Sequence, residues 1–313
     1  MRDREPGFSG GADTILVTGA GGQLGVELCR SLSLLGRVVA VARDTCDLAS
    51  ADQIVTTMRT VKPRVVINAG GYTAVDLAET EADAAYAINA VAPGLLAAEA
   101  KALGSLMVHY STDYVFDGAS EAPYTEDDIT APLSVYGRSK LDGELAIRDA
   151  GADYWVFRTS WVFGLQGANF LKSIARATLT RTSLSVVADQ VGAPTPAALL
   201  ADVTALAVRG YLSGPSPMPN GLYHVAAAGE TNWHQYACRI VETLARSGVP
   251  VALSPERVAP IASADYGSRA ARPANSRLDT SRLRAALNVD LPDWQDGVDR
   301  VLAQLIEGRR LFG

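Results

Sequence analysis

Cysteine is scarce in this chain of 313 residues: Cys29, Cys46 and Cys238 are all there is. An odd number without metal-ligand spacing excludes a disulfide framework and a thiolate metal site, and suits small buried residues in a reducing compartment. Histidine is as sparse, and His109, His224 and His234 lack ligand spacing, so they read as structural. No apolar run approaches the ~20 residues of a membrane span. The opening Met1-Arg-Asp-Arg-Glu-Pro-Gly lacks the apolar stretch of a signal peptide. No Lys/Arg run stands out and the formal net charge is −6, which argues against nucleic acid while leaving room for a local phosphate pocket. Repeats and low-complexity tracts are missing too. These absences predict a cytoplasmic protein with neither membrane nor nucleic-acid partner, and a mobile tail at 1–12.

What is present is an ordinary globular composition, 48% hydrophobic and 20% charged. In the first half, short apolar runs alternate with helical patterns, which predicts a doubly wound α/β fold with a parallel sheet (Rossmann-like). Strands are expected at Thr14–Thr18, Arg37–Ala42, Arg64–Asn68, Leu106–Ser111 and Trp155–Arg158. Leu24, Leu28 and Leu35 line a first helix stopped by Gly36 as C-cap. Ser50 and Gln53 form a capping-box pattern before Pro63. Further helices read at Ala82–Asn89, Pro93–Leu103 and Val135–Asp149. After Gly164 the alternation loosens: a helix near Asn169–Leu179, a strand at Leu184–Val187, a helix near Ala197–Tyr211 and a strand at Leu222–Val225. Helical patterns at Trp233–Ser247 and Trp294–Glu307 follow. The expected division is a dinucleotide-binding domain at 13–164, completed by segments from 184–225, and a smaller, mainly helical substrate lobe at 165–313.

Gly19, Gly22 and Gly25 stand at three-residue spacing between the first strand and the first helix. In a dinucleotide fold the first allows the tight turn, the second close approach to pyrophosphate and the third helix–strand packing. The helix that opens at Gln23 and Leu24 offers free N–H groups and a positive dipole end. At the end of the second strand, where an acidic residue would bind a ribose 2′-OH, the chain has Ala42-Arg43-Asp44. Arg43 suits a 2′-phosphate, so NADPH is expected, with Asp44 keeping NADH open. Asp47 and Leu48 either lie near the adenine or simply turn into the next helix. Ala69, Gly70, Gly71 and Thr73 follow the third strand, where small residues allow the nicotinamide half to pass; a plain turn is the other reading.

Tyr136 and Lys140, four residues apart in Val-Tyr-Gly-Arg-Ser-Lys, fall on one face of a helix. A phenol has an unperturbed pKa near ~10, and a neighbouring ammonium favours the phenolate. The pair is a way to move a proton near neutrality, and Ser111-Thr112-Asp113 lies upstream of it.

Together these segments resemble the extended short-chain dehydrogenase/reductases, and within them the dTDP-4-dehydrorhamnose reductase family. Asn68-Ala-Gly-Gly-Tyr-Thr-Ala-Val-Asp, Tyr110-Ser-Thr-Asp-Tyr-Val-Phe-Asp-Gly, Arg158-Thr-Ser-Trp-Val-Phe-Gly, Asp189-Gln-Val-Gly-Ala-Pro-Thr and Arg272-Pro-Ala-Asn-Ser-Arg-Leu carry the likeness over nearly the whole chain. The resemblance implies NADPH-dependent reduction of dTDP-4-dehydro-L-rhamnose to dTDP-L-rhamnose. It implies Tyr136 as proton donor, Thr112 as hydrogen-bond donor to the carbonyl oxygen, and Lys140 holding the cofactor ribose and depressing the Tyr136 pKa, with Tyr110 also at the cofactor. Asp113 and Trp161 match sugar-pocket positions; Asn169, Gln190, Arg272 and Asn275 match segments bordering the substrate nucleotide. Core packing for Trp161 and a surface role for Arg272 are the other readings. Some members dimerise around magnesium held by glutamates. Here Glu27 stands at one such position, but Ala198 and Gln304 stand at the others, so no bound magnesium is expected, and a monomer or weak homodimer is. Asp113 is followed by Tyr114, not by the Glu of a 4,6-dehydratase. A reductase for a related dTDP-4-keto-6-deoxy sugar, and a non-catalytic NADP-binding regulatory subunit, stay open.

Overall fold

The computed structural model describes residues 13–214 and 218–308; the expected tail at 1–12 lies outside the described residues. Five strands, β1 (Thr14–Thr18), β2 (Arg37–Val41), β3 (Val65–Asn68), β4 (Leu106–Thr112) and β5 (Asp153–Thr159), form a sheet with a sixth strand, Gly221–His224. All pairs are parallel, in the order Gly221–His224, β5, β4, β3, β1, β2. The sheet is buried on both faces, which is why its central strands read as continuous apolar runs and not as alternating ones.

Ile15, Val17, Val65, Ile67 and Val108 pack against Leu28 and Leu32 of the helix Gln23–Leu32 and against Leu200, Ala201 and Ala207 of the helix Ala197–Ser213. Their neighbours Leu16, Val66 and Met107 point the other way, onto Ile54, Met58, Leu96 and Ile147 of the helices Ala51–Val61, Ala92–Leu103 and Val135–Ala150. A third core joins the helices Phe170–Thr180, Trp233–Arg246 and Trp294–Glu307 through Leu171, Ile174, Tyr236, Ile240, Val298 and Leu302. The strand Leu184–Val187 belongs here: it pairs with Val258–Ile261 and not with the main sheet. The strand Gly221–His224 does return to the main sheet, so the chain crosses between the two bodies more than once.

Three local expectations are corrected. Gly36 is not a helix cap: the first helix ends at Leu32, and a Cβ at Gly36 would meet the Asp13 carbonyl oxygen at 2.2 Å. Ser50 caps its helix by accepting from Gln53 N–H, but the Gln53 side chain accepts from Asp47 N–H and does not close the box. The helices expected at Ala82–Asn89 and Pro93–Leu103 form one run, joined by a π turn at Ala87–Val91. A proline cannot bond the carbonyl four residues back and its ring collides with it; the wider turn just ahead of Pro93 accommodates both defects. Among the described residues no helix is long and apolar enough to cross a membrane.

Candidate active site

Strand order reverses between β1 and β3, so the C-terminal ends of these strands open a crevice, the usual ligand position of such sheets. A cavity of about 490 Å³ occupies it. The glycine loop forms one wall. Gly19 has φ +65°, and a Cβ there would lie 2.5 Å from Gly70 N; at Gly25 it would lie 2.2 Å from the Gly19 carbonyl oxygen. Only glycine lets loop, helix and β3 converge this closely. Gly22, Gln23 and Leu24 face the cavity from this wall, and Ala69, Gly70, Gly71 and Thr73 from the next. Arg43 is exposed beyond the end of β2, and Asp47 and Leu48 follow it; none of the three lines the cavity. Leu48 instead packs beneath Gly70, where a Cβ would be 2.4 Å from its Cδ1.

Opposite the loop stand Thr112 and Asp113 at the end of β4, and Tyr136 and Lys140 from Val135–Ala150. Ser134 caps that helix, accepting from Gly137 N–H at 3.1 Å, which fixes its first turn against the cavity. Thr112 Oγ1 donates to Asp113 Oδ1 at 3.0 Å. Burial raises the Asp113 pKa to about 6, against hydrogen bonds from Ser276 and Thr112 that lower it. The Tyr136 phenol is pushed up to about 12 by burial and by the Asp113 carboxylate, with the Thr112 hydroxyl working the other way. The depression expected from Lys140 is therefore not in force. Lys140 is buried and directed elsewhere: its Nζ donates to the Tyr110 carbonyl oxygen at 2.5 Å and lies 3.1 Å from His109 Nε2. Burial lowers its pKa to about 8 although the Glu144 carboxylate opposes the shift.

Tyr110 touches the cavity, but its phenol turns into the core and shares a 2.5 Å hydrogen bond with Thr204. Its contribution to the site is the carbonyl. Trp161 lies in the left-handed region at φ +49°, a strained place for a bulky residue, and its ring stacks on Trp233 with centroids 3.7 Å apart. Asn169 faces the cavity and donates to Gln23 Oε1 at 2.7 Å, tying the glycine loop to the second body. Gln190, Arg272 and Asn275 lie outside the lining. Gln190 accepts from Trp233 Nε1 at 3.1 Å, and Arg272 pairs with Asp76 at 2.7 Å. Asn275 donates to the Ser120 and Ala122 carbonyls and accepts from Arg277, which makes it a loop brace.

Several lining residues escaped the sequence reading. Trp233 and Phe170 come from helix starts far along the chain, and nothing local marks them. Ser111 and Thr159 also line it, and Ser111 Oγ and Thr159 Oγ1 are buried with no partner among the described residues. Such orphaned hydroxyls, beside a glycine cradle that a single Cβ would fill, fit a polar ligand such as a dinucleotide.

The family model described as RmlD substrate binding domain matches residues 13–307. The dTDP-4-dehydrorhamnose reductase of Burkholderia thailandensis is 45% identical over 93% of this chain and 99% of its own. That of Escherichia coli K12 is 43% identical over 93% and 97%. This chain belongs to the dTDP-4-dehydrorhamnose reductase family. A solved reductase of that name from Bacillus anthracis, in complex with NADP, superposes with a TM-score of 0.84 at 32% identity, covering 94% of this chain and 99% of that one. A dTDP-glucose 4,6-dehydratase from Streptomyces venezuelae superposes at 0.77 with 18% identity, a likeness of fold alone.

Proposed function

We propose that this family member reduces the 4-keto group of dTDP-4-dehydro-L-rhamnose with NADPH, yielding dTDP-L-rhamnose. The observation that carries the reading is that Thr112, Tyr136 and Lys140 line the same cavity as the glycine loop. Gly19, Gly22, Gln23, Leu24, Gly25, Ala69, Gly70, Gly71 and Thr73 would hold the dinucleotide, with Arg43 at its 2′-phosphate and Asp47 and Leu48 on the adenine side. Bound there, the nicotinamide supplies hydride to the ketone carbon. Tyr136 gives its phenolic proton to the oxygen on which negative charge builds, and Thr112 turns its hydroxyl to that oxygen. Asp113 and Trp161 orient the sugar. The body formed by the later part of the chain would seat the nucleotide, with Asn169, Gln190 and the guanidinium of Arg272 bordering it. The proposal does not extend to Asn275, whose amide is fully bonded within the protein.

The test is NADPH oxidation with enzymatically generated dTDP-4-dehydro-L-rhamnose, the product's C4 configuration being read by NMR. Tyr136→Phe should lose most turnover while NADPH still binds. Near-normal turnover of that variant, or wild-type protein that arrives holding oxidised cofactor tightly and turns over no ketone, would refute the reading.

A further inference from the structure

Trp161 leaves β5 with a strained backbone, yet every side of it is held. The Ser160 hydroxyl donates to the Ala193 carbonyl at 3.2 Å, and the Trp161 carbonyl accepts from Thr195 N–H at 3.2 Å. The indole meets two segments that are themselves paired: Val191–Gly192 and Thr231–Asn232 form a short antiparallel ladder, with Gly192 opposite Thr231. Gly192 approaches the ring so closely that a Cβ there would lie 2.8 Å from its Cε2. Just past Asn232 begins the helix Trp233–Arg246, capped by Asn232, which accepts from Gln235 N–H at 2.8 Å. This start lays the Trp233 ring on the Trp161 ring, with planes 17° apart.

Trp233 is in turn held by its edge. An indole N–H can only donate, so the Gln190 amide presents Oε1 to it at 3.1 Å and turns Nε2 to the Ser263 hydroxyl at 2.8 Å. Ser263 Oγ donates to Asp189 Oδ1 at 2.6 Å, and Ser263 N–H donates to the same carboxylate at 2.9 Å. Every donation thus runs one way, from Trp233 through Gln190 and Ser263 to a carboxylate that only accepts. The Ser263 hydrogen bonds hold the Asp189 carboxyl below its usual range, which keeps that end of the chain ionised. Trp161 and Trp233 line the cavity, whereas Asp189, Gln190 and Ser263 do not.

We propose that Trp233 is a positioning residue: clamped through its indole N–H by Gln190, it holds the Trp161 ring as the sugar-facing wall of the cavity. The inference rests on the reductase reading for the identity of the sugar. A strained backbone persists only where its surroundings over-determine it, and the ladder, the stack and the clamp do so here. A 6-deoxyhexose brings C–H bonds and a methyl group to such a ring. A ring already fixed binds it more tightly than one that must be immobilised on binding.

The test titrates the protein with dTDP-L-rhamnose and, separately, with dTDP, by calorimetry. Trp233→Leu should weaken dTDP-L-rhamnose about tenfold, the effect of freeing one large side chain, and leave dTDP within about twofold of wild type. In Trp161→Leu protein the same change should cost less than about twofold, because its effect passes through the missing ring. Trp233→Phe keeps a ring on Trp161 without the N–H and should recover most of the loss. Gln190→Leu removes the acceptor without touching the cavity and should weaken dTDP-L-rhamnose about fivefold, with dTDP unaffected. The exciton couplet that stacked indoles give in far-UV circular dichroism should vanish in Trp233→Leu, while the helical signal shows that the variant folds. Where Trp233→Leu does not fold, Trp233→Phe and Gln190→Leu carry the test.

A folded Trp233→Leu or Gln190→Leu with wild-type affinity would overturn the proposal, as would a Trp233→Leu effect undiminished in Trp161→Leu protein. Equal losses of dTDP and dTDP-L-rhamnose in Gln190→Leu would place that side chain at the nucleotide and refute the clamp. A wild-type protein that oxidises no NADPH, but shows the couplet and the expected binding pattern, would count against the proposed function and for the clamp.

Discussion

Replacing Asp113 by Asn should stabilise the protein at pH 8 and destabilise it slightly, by about 1 kcal/mol, at pH 4. Asp113 is buried, and burial raises its pKa from 3.8 to about 6. A carboxyl raised in the folded state contributes stability that is fully present below its unfolded pKa and is lost as pH rises through the folded one. The window is therefore about pH 4 to 6, and above it the folded protein carries a disfavoured buried charge. Two units at 1.36 kcal/mol each set an upper limit of about 3 kcal/mol. Asn keeps the size and one acceptor for Thr112, but its new N–H₂ must turn the Ser276 hydroxyl into an acceptor, which removes about 1 kcal/mol. The expected gain at pH 8 is about 1–2 kcal/mol. Urea denaturation of both proteins at the two pH values measures it. A variant less stable than wild type at pH 8, or a difference that does not change with pH, would show that desolvation of this carboxyl is not what dominates its energetics.

Glu144→Gln leaves the Arg158 guanidinium buried beside a neutral partner, and loss of one member of such a pair costs about 3–5 kcal/mol. A fall in Tm of only a degree or two would contradict that assignment. Gly25→Ala forces a Cβ to within 2.2 Å of the Gly19 carbonyl oxygen. It should lower NADPH affinity at least tenfold by fluorescence titration and cost about 1–3 kcal/mol through overpacking; unchanged affinity would mean the loop does not cradle the cofactor. EDTA should leave both NADPH oxidation and molecular mass unchanged, because Glu27 is engaged by Arg30 at 2.9 Å and neither Ala198 nor Gln304 offers magnesium an anionic oxygen. A dimer that EDTA dissolves, seen by mass photometry, would reverse this.

The parallel sheet, the glycine loop and the Tyr136–Lys140 face were legible because each is a local pattern: apolar runs of strand length, three-residue glycine spacing and a four-residue helical step. The same locality explains the misreadings. Gly36 and the Ser50–Gln53 pair matched capping patterns, yet a carbonyl from Asp13 and the N–H of Asp47 decided their roles. Pro93 looked like a helix start until the π turn ahead of it absorbed its defects.

By itself the sequence determined which residues could carry proton and dinucleotide chemistry, since residue type and spacing set a side chain's reach. Which neighbours each would meet depended on contacts between segments distant in the chain. The π stack of Trp161 on Trp233, the turning of Tyr110 toward Thr204, and the placing of His109 between Asn68 and Lys140 arise only when strands align in register and a helix is laid across them. Protonation states follow from those neighbours, so the electrostatics of the site belong to the tertiary structure.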